Sequence, residues 1–296
     1  MTYARHGLSD DPGTLPRMPP WVTSARPETP EDEAFLAGAA LTHLHLVVSR
    51  EDVPQALLRE RLALRAAEAC VTHQGRPERA GALRDAVGFL QPGDSAGPAG
   101  AVYLSWRWAV ARPVSVEALH RVLPEVEADQ IATWLDAGQG APIVRAAATL
   151  EAVVEARPRD QPAALLLADA ALAQALRWQH VLPLLAIGLK RTDLRKTGAE
   201  LRSACHRAVV ASAMEATRQA ADLTRRAARL KEVAPKLRAK GADAAVALFL
   251  TSDAVAPTAL TSLRSHRAAR RFCDRLVALG AVRELTGRDT FRLYGV

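Results

Sequence analysis

The sequence predicts a mainly α protein: a multi-helix body followed by a C-terminal winged helix, which combines helices with a two-stranded β-hairpin. The first observation behind this class is composition. Hydrophobic residues make up 49% of the 296 residues but aromatic residues only 4%, and alanine and leucine supply most of the apolar share. Alanine is the best helix former and a poor strand residue, so such a core is helical. The second observation is a pair of strand-like runs at the end of the chain, residues 281–285 and 290–294.

The N-terminal residues 1–28 are predicted to form a Pro-rich flexible tail, because they contain five prolines and few apolar clusters. Met18 and Trp21 are the tail side chains that we expect to dock on the body. Thr29 and Pro30, followed by three acidic residues, are typical of a helix start. The hydroxyl caps the helix, proline suits its first position, and the acids face the positive end of the helix dipole.

Residues 29–234 are predicted to form an all-α body. Gly- and Pro-containing turn sequences separate its apolar periodic segments. The predicted helices cover residues 30–48, 53–73, 77–90, 100–111, 115–123, 128–137, 142–156, 162–178, 181–189 and 192–230.

The last body helix carries an alanine-rich apolar seam between residues 209 and 230. Its members alternate steps of four and three residues, which keeps one face toward a partner helix. That partner is either another helix of the body, which the sequence favours, or a second copy of the chain in a homodimer. Pro235 then disfavours helical geometry in the preceding residue, so the boundary of the C-terminal module, residues 235–296, is placed there.

The C-terminal module has the element order of a winged helix. Two short helical segments, 242–250 and 257–263, precede a helix that starts at the N-cap Ser265 and ends before Gly280. Gly287, in the linker 286–289, supplies the positive φ that a tight hairpin between the two strand-like runs needs. The third helix is predicted to bury an apolar face and to expose an arginine face.

The charge of the chain is concentrated in this C-terminal quarter. Residues 224–296 contain fifteen lysines and arginines against six aspartates and glutamates, a net charge of +9, whereas residues 1–223 carry −2. A basic module on a near-neutral body is typical of a nucleic-acid-binding protein, although a solvated basic surface without a partner gives the same count.

The predicted partner is double-stranded DNA, with the third helix in the major groove and the hairpin along the backbone. The groove-facing residues are predicted to be Ser265, His266, Arg267, Arg270 and Arg271. Arg275 is placed nearer a phosphate, and Arg288 at the wing tip. Asp274 is one helical turn from Arg270 and Arg271, so an ion pair there would weaken their field.

Other chemical groups give weaker signals, and no catalytic, cofactor or metal site is predicted. His43 and His45 are two residues apart and point to different sides of a helix, so they do not easily share one metal ion. Cys70 and His73 offer only two ligands. Asp169 lies in an apolar run, where we expect it to pair with an arginine of a neighbouring helix. Trp106 and Trp108 are two apart, so at least one is expected in the core.

The compartment is predicted to be cytoplasmic. The three cysteines are far apart in sequence, which is typical of a reducing environment. The chain shows no apolar run of about 18 residues, so no membrane partner is expected.

Three stretches resemble a known family. The first is residues 31–40, and the second is residues 83–86 together with 92–100. The third is C-terminal and consists of residues 274–277, 283–288 and 291–294. They are similar to the bacterial domain-of-unknown-function family numbered 1403, known mainly from alphaproteobacteria and often plasmid-encoded. This resemblance implies a bacterial cytoplasmic protein and brings no activity. Two alternatives to DNA binding therefore stay open: a scaffold whose winged helix binds protein, and an enzyme with a site near Asp169.

Overall fold

The computed structural model describes residues 15–91 and 93–296. Over these residues the protein is mainly α, with thirteen α-helices and one two-stranded antiparallel sheet near the C-terminus. The helices are α1 (Pro20–Thr23), α2 (Pro30–Val48), α3 (Gln55–His73), α4 (Ala80–Gly88), α5 (Gly97–Ala111), α6 (Val116–Val122), α7 (Ala128–Leu135), α8 (Pro142–Ala156), α9 (Gln161–Ala175), α10 (Leu184–Gly188), α11 (Gly198–Val233), α12 (Ala242–Phe249) and α13 (His266–Ala278). The strands are β1 (Arg283–Glu284) and β2 (Tyr294–Gly295).

The segment before α2 packs on the body where the structure describes it. Residues 1–14 of the predicted tail, like Pro92 of the turn before α5, lie outside the described residues. Leu15, Met18 and Val22 are buried in the main hydrophobic core. The Trp21 ring stacks on Phe35 with the ring centroids 5.7 Å apart. Met18 therefore docks as predicted, and Trp21 does so at the surface.

The predicted start of α2 is confirmed in detail. The Thr29 hydroxyl accepts a hydrogen bond from the Asp32 backbone N–H, and the Asp32 carboxylate accepts one from the Thr29 N–H, each 3.1 Å long. This reciprocal capping box satisfies two of the free donors at the helix end. Pro30 occupies the first helical position, where a missing N–H costs nothing.

The central helix of the body is α9. Every residue from 163 to 173 is buried, including Asp169. A helix that is apolar on all sides must be covered on all sides, and α3, α5, α7, α8 and α10 surround it. The body is therefore layered around one helix rather than built as a simple bundle.

The longest helix, α11, runs for 36 residues, about 54 Å. It begins at Gly198 rather than at residue 192, because Asp193–Arg195 form a 3-10 turn whose Asp193 carboxylate accepts the Lys190 N–H. The helix packs against α2, α3, α8 and α10, and the predicted seam is buried within the chain. Its side chains are Val209, Ala213, Ala216, Ala220, Leu223, Ala227 and Leu230. A second copy of the chain has no access to them, so the intrachain alternative holds for this seam.

The C-terminal module contains α12, a 3-10 turn at Pro257–Ala259, α13 and the sheet. The second helix predicted over 257–263 is only this 3-10 turn, because the next helix already has its cap at Ser265 and leaves little chain for a full α-helical turn. At the other end of α13, Gly280 has φ +65° and closes the helix as predicted. Its N–H donates to the Val277 carbonyl, and the next N–H, of Ala281, donates to the Leu276 carbonyl.

The predicted hairpin is much shorter in the structure. Only Arg283 with Gly295 and Glu284 with Tyr294 pair as strands, rather than residues 281–285 with 290–294. The Glu284 carboxylate accepts the N–H groups of Thr286 and Gly287, each 2.7 Å away, and turns the chain immediately after β1. The intervening residues 285–293 therefore form a loop, which we call the wing loop.

The module packs on the body through one hydrophobic core that includes Phe249, Phe272 and Leu276. A buried ionic contact, the Asp253 clamp, joins the two parts. The Asp253 side chain is fully buried and pairs with Arg61 of α3 and Arg84 of α4. The Arg84 fork binds both carboxylate oxygens, at 2.6 and 3.1 Å. Such bidentate pairs fix orientation as well as distance, so the clamp sets how the module sits on α3 and α4.

Within the described part of the chain, every helix lacks the combination of length and hydrophobicity that a bilayer crossing requires.

Candidate nucleic-acid interface

The α13 helix has the two faces that the sequence predicts. Ser265 caps it, its hydroxyl accepting the Ala268 N–H at 3.2 Å. Ala269, Phe272, Cys273 and Leu276 are buried. The opposite face is exposed and carries Arg264, Ser265, His266, Arg267, Arg270, Arg271 and Arg275. The structure therefore brings six of the seven predicted DNA-contacting residues onto one continuous surface, which we call the arginine face.

The arginines of this face are free of carboxylate partners among residues 15–91 and 93–296. None of them forms an ion pair there, whereas arginines such as Arg65, Arg107 and Arg207 of the body do. The helical ion pair that the sequence allows between Asp274 and Arg270 or Arg271 does not form. The positive charge of the face is thus not neutralised by local pairing.

Arg288, the seventh predicted residue, does not stand free at a wing tip. It forms an ion pair with Asp85 of α4, and its side chain is 54% exposed. A second contact also holds the wing loop against the body: the Phe291 ring meets the Phe89 ring edge-on, with the centroids 5.8 Å apart. The prediction overlooked this contact since it treated the module as separate from α4.

A cavity of about 490 Å³ lies between the arginine face and the wing loop. His266, Arg270 and Asp274 line it from α13, and Phe291 and Arg292 from the wing loop. The sequence assigns Phe291 to the second strand-like run, but this residue lies in the wing loop and its side chain is 69% exposed. Its φ of +54° explains the change, because a left-handed residue cannot continue a strand. No sequence pattern signals that conformation for a phenylalanine.

The sheet of the module has three members when an isolated bridge is included. Val255, between α12 and the 3-10 turn, pairs antiparallel with Tyr294 through hydrogen bonds of 2.8 and 2.9 Å. The order across the sheet is therefore Val255, β2, β1. Tyr294 also lines the cavity, and burial raises the pKa of its phenol.

In the described part of the chain, the cysteines and histidines outside this surface are not gathered into a metal site. No group of three or more potential ligands occurs within residues 15–91 and 93–296. Cys70, Cys205 and Cys273 are free and buried, and burial raises their thiol pKa values to about 12. Buried thiols of this kind are unreactive. His45 is engaged by Trp178, whose indole N–H donates to its Nδ1 at 2.9 Å.

The Asp169 prediction was wrong about its partner. Its two carboxylate oxygens accept the backbone N–H groups of Leu185 and Ala186, at 2.8 and 3.0 Å, and no arginine pairs with it among the described residues. Asp169 caps the start of α10 from the neighbouring helix. The side chain is fully buried, so a substrate has no access to it and the enzyme alternative loses its proposed centre. Of the two tryptophans, Trp106 is buried and Trp108 is 48% exposed, as the spacing predicts.

Comparison with known families assigns nearly the whole chain to one family. Residues 6–296 match the family described as Protein of unknown function (DUF1403). The chain belongs to the DUF1403 family. The match extends over the body and the C-terminal module alike, so the DUF1403 unit includes the Asp253 clamp between them. No curated protein matches the chain.

Proposed function

We propose that this DUF1403 protein binds double-stranded DNA through its C-terminal module, with the arginine face of α13 as the reading surface. The observation that carries the proposal is that Arg267, Arg270, Arg271 and Arg275 are exposed on one side of one helix without carboxylate partners among the described residues. A row of unpaired guanidinium groups suits phosphates and guanine edges, both of which accept bidentate hydrogen bonds.

The element order supports a winged-helix reading of residues 242–296. Helix α12, the bridge residue Val255, the 3-10 turn, α13, β1 and β2 follow one another as helix, strand, helix, helix, strand, strand. In this reading α13 is the recognition helix. Its capped N-terminal half, with His266, Arg267, Arg270 and Arg271, enters the major groove, and Arg275 lies against a phosphate.

The wing loop contributes a different contact from the one predicted. The ion pair of Arg288 with Asp85 holds the wing loop on the body. In this proposal Arg288 therefore fixes the position of the wing loop, and a phosphate contact is not its sole role. Phe291 and Arg292 are the wing-loop residues that face the cavity beside α13. An exposed aromatic ring next to arginines suits stacking or minor-groove contact.

The biological setting that fits this proposal is a transcriptional or plasmid-associated regulator in the bacterial cytoplasm, as the family resemblance implies. The α11 seam is buried within the chain, so a homodimer, which many operator-binding proteins form, uses a different surface.

The alternative function is a scaffold whose module binds protein. It predicts that the arginine face contributes little to duplex binding. The face itself favours DNA, because five of its seven residues are exposed arginines, with Val277, at 40% exposed, as the large apolar side chain beside them.

Two charge-matched variants separate these functions. The test variant replaces Arg267, Arg270 and Arg271 with alanine. The control variant replaces three other arginines with alanine: Arg159, Arg195 and Arg202. These three are exposed on the body and likewise form no ion pairs among the described residues. Fluorescence anisotropy with a random duplex at about 50 mM salt should show the test variant binding roughly 10- to 100-fold more weakly than the control. If both variants bind DNA equally weakly, the loss reflects net charge rather than the arginine face. If the wild type shows no detectable DNA binding, the DNA-binding proposal is wrong and the scaffold function takes its place.

A further inference from the structure

A second cavity lies in the helical body, in contact with none of the residues of the arginine face. Its volume is about 360 Å³, within the range of small-molecule sites. The end of α2, the first turns of α3 and the segment after α9 enclose it. None of its lining residues is an aspartate or glutamate, and two are arginines, Arg59 and Arg177.

Arg59 is a half-buried guanidinium with no carboxylate partner among residues 15–91 and 93–296. Its Nε donates to the Val110 carbonyl at 3.0 Å, and burial lowers its pKa. Three other partly buried arginines of the body have acidic partners: Arg61 and Arg84 share Asp253, and Arg107 pairs with Glu60. A desolvated cation is normally paired, so the remaining donors of Arg59 are placed to receive an anion from outside the chain.

Arg177 reaches the same cavity from a conformation that favours glycine. It follows the end of α9 with φ +55°. Its N–H donates to the Gln174 carbonyl, and the N–H of Trp178 donates to the Ala173 carbonyl, the pattern of a helix end that glycine usually occupies. A side chain in this region costs free energy. The chain nevertheless places an arginine here, exposed and without an ion pair among the described residues.

The wall beside these arginines is an ordered aromatic ring. Trp178 donates its indole N–H to His45 Nδ1, and the two rings are parallel within 4°. The hydrogen bond fixes the orientation of the indole, which leaves a flat apolar surface within a cationic cavity. We propose that this cavity binds a small anion that combines an aromatic ring with a phosphate or a carboxylate group, with Arg59 and Arg177 on the anionic group and Trp178 against the ring.

The ligand chemistry can be tested by isothermal titration calorimetry of the full chain with three probes. Adenosine 5′-monophosphate and benzoate carry the ring with the two kinds of anionic group, and adenosine carries the ring without a charge. We expect one or both anions to bind with a Kd of about 1 mM or below and adenosine to bind at least about tenfold more weakly. If adenosine binds as well as its monophosphate, or neither anion binds, the proposal is wrong.

Two variants identify the site. Arg177→Gly should weaken binding of the anion about tenfold or more, and it should raise Tm because glycine tolerates the positive φ. Arg59→Gln keeps an N–H donor for the Val110 carbonyl and should also weaken binding. Arg159→Ala removes an exposed charge elsewhere on the body and should leave binding unchanged. If a stable Arg177→Gly variant binds the anion with wild-type affinity, the assignment of this site is wrong, even if the Arg59→Gln variant does not fold.

Discussion

At the scale of single residues, Asp169 shows how burial and hydrogen bonding compete. Its carboxylate is surrounded by the apolar side chains of α9, and burial raises its pKa to about 8. The backbone N–H groups of Leu185 and Ala186 act in the opposite direction, because donors to a carboxylate favour its charged form. Desolvation is the larger effect, so the group holds its proton through much of the physiological range.

This shift predicts a pH dependence of stability. The pKa of Asp169 is raised in the folded state from an ordinary value of 3.8, so its stabilising contribution is full below about pH 4. The contribution falls as pH rises and levels off above about pH 8, with a slope of at most about 1.4 kcal/mol per pH unit. We expect the difference in unfolding free energy between wild type and Asp169→Asn to shrink over this window, as measured by chemical denaturation. A difference that is constant or grows with pH would contradict the assignment.

Asp169 also marks what sequence alone can say about a residue. An aspartate in the middle of an apolar helix predicts burial and a satisfied carboxylate. It does not identify the partner, because the contact between Asp169 and the start of α10 is a tertiary contact that no local pattern shows. The same limit applies to Arg288 and Asp85, which are 203 positions apart in sequence.

At the scale of elements, the helices were predictable where periodicity and caps agree. The start of α2 and both ends of α13 follow from Thr29, Ser265 and Gly280, whose local hydrogen bonds depend on few neighbours. The wing strands were not predictable, because Glu284 bonds the backbone of the two following turn residues and Phe291 adopts positive φ. The Glu284 turn replaces strand pairing locally, and Phe291 contacts Phe89 at the end of α4, a residue distant in sequence.

The seam of α11 supplies the prediction at this scale. Leu223 is 2% exposed and packs within the chain, so Leu223→Asp should place an unpaired charge in an apolar contact. We expect a loss of roughly 3 to 5 kcal/mol in unfolding free energy. Ala211→Asp, at an exposed position of the same helix, controls for helix propensity and should cost less than about 1 kcal/mol. Equal stability of the two variants would mean that the seam is not buried in solution.

At the scale of the whole molecule, the Asp253 clamp decides how the body and the module are related. The sequence places a boundary at Pro235, and Ala234–Lys236 do interrupt the helix there. Beyond that point the chain returns to the body, since Arg229 donates to the Leu279 carbonyl and Arg288 meets Asp85. Local sequence patterns do not indicate these long-range pairs. The division of the chain into a body and a separate domain at 235–296 therefore stays a prediction.

Removing the clamp tests this relation. Asp253→Asn leaves Arg61 and Arg84 partly buried without their carboxylate, which typically costs roughly 3 to 5 kcal/mol. Asp243→Asn, at an exposed position of α12, is the matched control and should leave stability unchanged. Denaturant unfolding followed by circular dichroism measures both. If Asp253→Asn is as stable as its control, the clamp does not hold the module on the body.

The central claim, that the arginine face binds duplex DNA, is tested most directly by the salt dependence of the affinity. If Arg267, Arg270, Arg271 and Arg275, in the groove or on the backbone, each release about one counterion from the duplex, log affinity should fall against log salt with a slope near about −3.6. Replacing the first three with alanine should bring the slope near about −0.9, while the charge-matched variant of Arg159, Arg195 and Arg202 should keep the wild-type slope. The same slope in all three proteins, or one shallower than about −1 in the wild type, would contradict DNA recognition by α13.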